Sequence, residues 1–374
     1  MDLNDIRLKI NELDEQIVKL ITERMGCSIE VAKYKVAHSL PVLNAERERQ
    51  VLSNVASKSP ELSHELYALY SAIMDISKAE QYPIVYEKSD YKDKIFDGFG
   101  EYDSAVENII CAGMEGAYSS IAAKKLWPNA NLCYTEDFSD IFKRVSSGEF
   151  DRGIIPIENS FAGSVVENYD LLTAYDMYIT DAVTIPVNHC LMGIPGSRDK
   201  IRTVYSHEQA LKQCAEYLQK NDYTPSVFTN TALAAKFISE QNDPSLGAIA
   251  SKTAAEINGL EIFDTNIQSS SVNSTRFVAI SKKLAISDSA NVISIAFSLH
   301  RDTAGALYCV LSRLAAMGLN MTKIESRPLK SSPFEYTFYL DFIGNVKDEK
   351  TWGLICGLHE ELPEFKFFGN YTIK

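Results

Sequence analysis

Arg24 and Lys35 stand 11 residues apart. On a helix that is about three turns, so both side chains leave from one face. Val31 lies between them on the mostly apolar side. Two cations aimed at a helical interior need anions. Arg7 precedes Arg24 by 17 residues, about 25 Å along the same helix. One small ligand cannot touch both in a single chain, whereas a second, antiparallel copy could supply Arg7. A second helix adds Arg47 and Glu48, and a third adds Ser77 and Gln81 at i, i+4. The set offers cations, an amide, a hydroxyl and one carboxylate, with no nucleophile. It suits holding a small anion. A dimeric coiled-coil module with surface salt bridges would use the same residue types and is the plainer alternative.

Four further polar clusters fall at expected strand ends. They are "GMEGAYSS" at 113–120, "PIENSFAGS" at 156–164, "YSHEQALKQC" at 205–214 and "SSSVNSTRF" at 269–277. The first is a glycine turn before a helix, where the backbone of Gly116, Ala117, Tyr118 and Ser119 can meet an anion. The others carry Glu158, Asn159 and Ser160; Ser206, His207 and Gln213; and Thr275, Arg276 and Phe277. Ligands of open α/β sheets bind outside the strand carboxyl ends, where such clusters can converge. Hydroxyls and amides with one Arg, and no Cys–His or Ser–His–Asp order, suit binding a small anion and protonating a leaving group better than acyl transfer. His207 serves equally well as a structural hydrogen-bonding residue.

Three regions must position these residues. Ile6, Ile10, Leu13, Ile17, Leu20 and Ile21 recur at three and four, which predicts a helix running toward His38 and ended before Pro41. Such a helix is too long for a small compact domain unless it pairs with a partner. Asn44 is a good N-cap for the second helix, and a third is expected from Glu61 to Gln81. Residues 82–106 are polar and read as a linker. From 107 to 283, short apolar runs alternate with amphipathic helices, the pattern of an α/β fold with mainly parallel strands. Residues 284–290 read as a short second linker. The tail then follows a βαββαβ order, which is ferredoxin-like.

The chain of 374 residues suits two to four domains. A formal net charge of −13 argues against nucleic acid or an anionic membrane surface as the main partner. No apolar run reaches membrane-spanning length, and the charged N-terminus has no signal-peptide core. Seven scattered cysteines without a CxxC pair fit reduced thiols in a cytoplasmic protein. Six histidines lack ligand spacing, so neither a metal nor another cofactor is expected.

"IRLKINELDEQIVKLITERM…EVAKYKVAHSLPVLNAERE" resembles the all-helical chorismate mutase family over nearly the whole first region, 1–85. The resemblance places Arg7, Arg24, Lys35, Arg47, Glu48, Ser77 and Gln81 at a chorismate site. Lys35, Glu48 and Gln81 would act on the rearrangement, with Arg7 drawn from the partner of a homodimer. Asn44 stands where some relatives have Asp, and Ala45-Glu46 replace the usual Ile-Asp. Residues 105–283 resemble the prephenate dehydratase family. Its motifs stand at Gly113–Ser119, Pro156–Val165, Tyr205–Cys214 and Asn273–Phe277. That implies two α/β lobes with prephenate in the cleft and Thr275 as the key catalytic residue. Glu158 is a candidate to share the proton, Arg276 and the Gly116–Ser119 backbone to hold carboxylates, and Asn159, Ser160, Ser206, His207, Gln213 and Phe277 to line the site. Met114 replaces a usual Pro, and the Asp often found before the last motif is missing from "QSSSVN". In 291–374, "GALYCVLSRLAAMGLNMTKIESRP" resembles the ACT domain, with Ala304 where Pro is common. Gly305, Ala306, Leu307, Glu325, Ser326, Arg327 and Pro328 carry that match. It implies L-phenylalanine as effector at a subunit interface, in a dimer or a higher oligomer. Together the resemblances imply a bifunctional enzyme of phenylalanine biosynthesis. The alternative from another class is a two-lobed small-anion binding or regulatory protein with a spent mutase module.

Overall fold

The computed structural model describes residues 2–102, 106–269, 273–299, 305–329 and 335–374. Residues 270–272, within the last dehydratase-like cluster, and Ala304 therefore lie outside the described residues.

Three helices open the chain: α1 (Leu3–Ala37), α2 (Ala45–Lys58) and α3 (Ser63–Val85). Asp2 and Asp5 form a capping box that satisfies the first N–H groups of α1. Asn44 caps α2 by accepting from the Arg47 N–H at 3.0 Å. The expected linker is partly helical, since α4 occupies Asp90–Phe96. Ser89 accepts from the Lys92 N–H at 3.1 Å, and Ile95 is buried, so a cap and one apolar anchor suffice for a short polar helix.

The α/β region follows. In chain order it contains β1 (Asn108–Ala112), α5 (Tyr118–Leu126), β2 (Asn131–Thr135), α6 (Phe138–Ser146), β3 (Arg152–Asn159), β4 (Gly163–Ser164), α7 (Val166–Ala174) and β5 (Tyr178–Pro186). Then come β6 (Cys190–Gly193), β7 (Thr203–Ser206), α8 (Glu208–Gln213), α9 (Ala215–Lys220), β8 (Thr224–Val227), α10 (Thr231–Gln241), β9 (Leu246–Ala250), α11 (Lys252–Ile257), β10 (Glu261–Thr265) and β11 (Ser274–Ser281). One sheet runs β2-β1-β3-β11-β5 with β4 beside β3, and the other runs β10-β6-β9-β7-β8.

The expectation of mainly parallel strands needs correction, because both sheets are mixed. β1 is parallel to β2 and β3, and β7 to β8 and β9, as helical crossovers require. β11 runs antiparallel to β3 and β5, and β6 antiparallel to β9 and β10. The chain passes from the first sheet to the second between β5 and β6 and returns between β10 and β11, and among the described residues no helix lies in either passage. β11 inserts between β3 and β5, and β6 between β9 and β10, with no crossover helix leading directly from either neighbour, and both run antiparallel to the strands beside them.

The second expected linker, 284–290, is also packed. Leu284, Ala285 and Ile286 are buried, and the Ile286 N–H donates to the Gly98 carbonyl at 2.8 Å. A Cβ on Gly98 would meet Leu284 Cγ at 2.9 Å, so this approach requires glycine.

The C-terminal region holds β12 (Val292–Ser298), α12 (Ala306–Ala316), β13 (Met321–Pro328), β14 (Tyr336–Ile343), α13 (Glu349–Glu361) and β15 (Phe365–Tyr371). The βαββαβ order is present, and the sheet runs β13-β14-β12-β15.

The described residues fall into two compact bodies. One joins positions up to 97 with 290–370, and the other joins 98–289 with 371–374. In the first body, α3 packs against α1 and α2 and also against α12 and α13. The stripe Ile6, Ile10, Leu13, Ile17, Leu20 and Ile21 on α1 stays exposed within the chain.

Candidate active sites

In the first body, α1, α2 and α3 enclose a cavity of about 370 Å³. Arg24, Ser28, Lys35, Asn44, Arg47, Glu48, Ser77, Lys78 and Gln81 line it, with Val31, Val42, Val51 and Met74 as its apolar wall. Six of the residues expected to hold chorismate therefore share one cavity. Arg7, the seventh, does not line it and is exposed on α1.

The polar groups are pre-oriented. Lys35 Nζ donates to Gln81 Oε1 at 2.9 Å and to the Val42 carbonyl at 2.6 Å. Gln81 Nε2 donates to the Ser77 carbonyl at 3.0 Å, and the Ser77 and Ser28 hydroxyls lie 2.5 Å apart. Arg24 keeps one buried guanidinium nitrogen without a hydrogen-bond partner. A buried cationic donor in that condition calls for an anion. Burial pushes the Lys35 ammonium below its ordinary range, and Glu48 opposes the shift. Lys78 and Ser28 were not singled out in the sequence. Lys78 sits next to Ser77 on α3, and a helical wheel centred on Ser77 and Gln81 would have drawn attention to it.

In the second body, a hydrogen-bond network links the ends of β3 and β11 to α8. β11 pairs Thr275 with Asn159 and Arg276 with Glu158. Asn159 Oδ1 accepts from the Phe161 and Ala162 N–H groups at 3.0 and 2.8 Å. Its Nδ2 must then face the other way, and it donates to Thr275 Oγ1 at 2.9 Å and to Asn273 Oδ1 at 2.9 Å. Asn273 Nδ2 in turn donates to Gln213 Oε1 at 3.0 Å. The same oxygen lies 3.0 Å from His189 Nε2, which makes that nitrogen the donor and leaves Nδ1 buried without a partner. Thr275 Oγ1 accepts from Asn159, so its own proton is not used in this bond.

Other expected residues are placed differently. Successive strand residues face opposite sides, so the Glu158–Arg276 ion pair, 3.4 Å long, lies across the ladder from Asn159 and Thr275. Ser206 is fully buried and donates to the Ile249 carbonyl at 2.6 Å, tying β7 to β9. His207 is exposed and caps α8, accepting from the Gln209 N–H. Phe277 belongs to the apolar core beneath α5. Ser160 accepts from the Ser274 N–H at 2.9 Å, which pins the turn after β3. Gly116 and Ser119 are buried at the entrance of α5, whose N-cap Ala117 offers no side-chain acceptor to the first N–H groups. Gly116, at φ +87°, abuts Ala254, and Ser251 Oγ donates to its carbonyl at 2.8 Å, so the glycine turn also joins the two lobes. Tyr118 donates to the Asn188 carbonyl at 2.8 Å.

His189, Asn188 and Ser251 were not anticipated. The polar pair "NH" inside "IPVNHCLMG", between two apolar runs, was the available signal for the first two.

In the C-terminal sheet, Gly305 starts α12 at φ +76°. Glu325 and Arg327 share one face of the edge strand β13 and are half-buried; Ser326 and Pro328 face the other side and are exposed.

The helical cavity is lined by cations, and the hydrogen-bond network of the α/β region is built from neutral amides, an imidazole and a hydroxyl. The chorismate mutase type II family matches residues 6–82, and the prephenate dehydratase family matches residues 109–285. The bifunctional chorismate mutase/prephenate dehydratase of Enterobacter agglomerans is 29% identical over 98% of this chain and 95% of its own length. Arogenate dehydratase/prephenate dehydratase 1 of Arabidopsis thaliana is 36% identical over 72% of this chain and 73% of its own. The crystal structure of the prephenate dehydratase of Arthrobacter aurescens in complex with L-Phe has a TM-score of 0.65 at 26% identity, covering 71% of this chain and 90% of that one. The chain belongs to the prephenate dehydratase family and carries a chorismate mutase type II region ahead of it.

Proposed function

We propose that this protein makes phenylpyruvate from chorismate in two steps, at two sites, under feedback by L-phenylalanine. The observation that carries the reading is the convergence of Arg24, Lys35, Arg47, Glu48 and Gln81 on one cavity, in the same chain as the Asn159–Thr275 pair.

In the helical cavity Arg24 and Arg47 hold the two carboxylates of chorismate. Lys35 and Gln81 donate to the ether oxygen as its bond breaks, and Glu48 accepts from the ring hydroxyl, with Ser77 as a weaker contact. The reaction stays within one molecule, so orientation and charge stabilisation supply the acceleration. Arg7 comes from a second copy, which makes the active form a homodimer. The exposed apolar stripe of α1 supports this, since a second α1 would cover it.

In the cleft prephenate loses its ring carboxylate as CO₂. The released electron pair completes the aromatic ring as the C–O bond at the far carbon breaks, and the leaving hydroxide takes a proton and departs as water. Thr275 donates to that oxygen, held by Asn159. The N–H groups opening α5 hold a carboxylate.

The C-terminal βαββαβ region acts as an ACT domain, with Gly305–Leu307 and Glu325–Pro328 framing the effector site. The L-phenylalanine bound to the Arthrobacter aurescens protein supports this reading. Seven unpaired cysteines favour the cytoplasm.

Assaying the full chain on chorismate and on prephenate separately tests the proposal. Turnover of both, with the second reaction slowed by L-phenylalanine, is the expected result. Binding of either compound without turnover would point to the small-anion binding protein instead. Arogenate, named for the Arabidopsis relative, is the control for dehydratase specificity.

A further inference from the structure

Lys78 has no assigned role in either reaction, yet it lines the helical cavity while its side chain is only 8% exposed. Its ammonium touches three carboxylates: Glu48 at 3.1 Å, Asp75 at 3.3 Å and Glu361 at 3.0 Å. Glu48 belongs to the cavity, while Glu361 closes α13 in the C-terminal region. Arg313, from α12, completes the cluster at 2.9 Å from Asp75 and 2.5 Å from Glu361. Tyr82 donates to the other Glu361 oxygen at 2.7 Å. Among the described residues, two cations and three carboxylates thus share one buried network, and Lys78 alone spans from the cavity to α13. Burial and Arg313 push its ammonium down, but the three carboxylates outweigh both and hold it above its ordinary range.

A separate observation shows that the contact behind this network is close. A Cβ on Gly353 would meet the Ala79 carbonyl oxygen at 2.6 Å, and one on Gly357 would meet the Tyr82 ring at 2.9 Å. The α13 backbone therefore lies directly against the turn of α3 that carries Lys78. Tyr91 stacks on His359 and Phe96 meets the edge of Trp352, so α4 grips α13 as well.

We infer that Lys78 is a positioning residue of the mutase site, aiming the Glu48 carboxylate into the cavity, and that Glu361 of the C-terminal region, itself held by Arg313, keeps Lys78 in place. The sheet region would then be part of the framework of the helical site. This inference rests on the proposed mutase activity and extends it to residues outside the helical region. A long cation tied only to Glu48 would have several rotamers, and three acceptors around it leave one.

The test uses the full chain and three variants: Lys78→Met, Lys78→Arg and Glu361→Gln. Chorismate turnover is followed as kcat and KM against pH, and prephenate turnover is followed as a folding control. Misplacing a contacting group by about 1 Å costs on the order of 10²-fold, so Lys78→Met is expected to lose about that much in kcat/KM while prephenate turnover stays within about twofold. Lys78→Arg should restore part of the loss by returning the charge. Lys78→Met removes a cation beside Glu48, so the acid limb of chorismate turnover should move to higher pH. Glu361→Gln removes an anion from the same network, so the limb should move to lower pH. Lys35 on α1, Asp75 on α3 and Arg313 on α12 are unchanged in all three variants.

No chorismate turnover in the unmodified chain would defeat the mutase reading itself. Normal turnover there, with kcat/KM and the acid limb unmoved in Lys78→Met, would overturn only the positioning role. Loss of both activities together with the folded state in all three variants would also overturn it, leaving the network a purely structural one.

Discussion

The two candidate sites are built from opposite kinds of group. The helical cavity presents Arg24, Lys35, Arg47 and Lys78, cations already held by helices and by a buried ion network. The α/β cleft aligns neutral groups instead, from His189 through Gln213, Asn273 and Asn159 to Thr275, each hydrogen bond fixing the direction of the next. A rearrangement within one dianion needs charge in place before the bonds move. A dehydration needs one proton pointed at one oxygen, and a chain of amides can set a hydroxyl's direction without adding charge.

The strongest way to break this contrast is to remove a cation. Arg24→Ala should lower chorismate turnover by about 10³-fold and leave prephenate turnover near normal. Arg7→Ala should do the same if the partner copy supplies Arg7. Mixing the two inactive proteins should then restore activity, because one of the two shared sites is intact. No recovery after confirmed subunit exchange would exclude the shared site.

Thr275→Ala should cost about 10²-fold in prephenate turnover, the scale of acid catalysis, with chorismate consumption unchanged. Asn159→Asp is sharper, since a carboxylate cannot donate to Thr275 Oγ1. It should also lose dehydratase activity, and equal activity in the two proteins would show that the direction of this bond is irrelevant.

Gly353→Ala probes the framework and not the chemistry. Overpacking of this kind costs about 1–3 kcal/mol. On gentle heating, chorismate turnover should fail in this variant before prephenate turnover does, as read by parallel activity assays after incubation.

The smallest effect is a pH dependence confined to the cleft. Burial lowers the pKa of His189 from its ordinary 6.5, and the hydrogen bond that His189 donates to Gln213 Oε1 only partly opposes it. From pH 6.5 downward the unfolded chain therefore binds a proton that the folded chain refuses, so stability falls as pH falls through that window. His189→Asn should flatten this slope in thermal unfolding, while the pH dependence of chorismate turnover stays as it was.

The sequence alone determined the local parts. Helical period set α1 and α3, Asn44 marked the start of α2, and the motif spacing placed Asn159 and Thr275 at strand ends, because these features depend on residues a few positions apart. It also indicated a first helix too long for a small compact domain on its own, and the structure leaves the apolar stripe of α1 exposed within the chain. It did not indicate that polar residues 90–96 form a helix, since a capping serine and a single buried Ile95 carry too weak a period. It did not separate Glu158 and Arg276 from Thr275, because faces of a ladder follow from register. Lys78 and Glu361 lie 283 positions apart, and His189 meets Gln213 across 24. No period or spacing encodes such pairs. A cut between the helical and sheet regions looked natural in the sequence, yet the structure closes α13 onto α3 through two glycines. Only packing decides which distant backbones approach so closely, and that decision made the C-terminal region a neighbour of the first site.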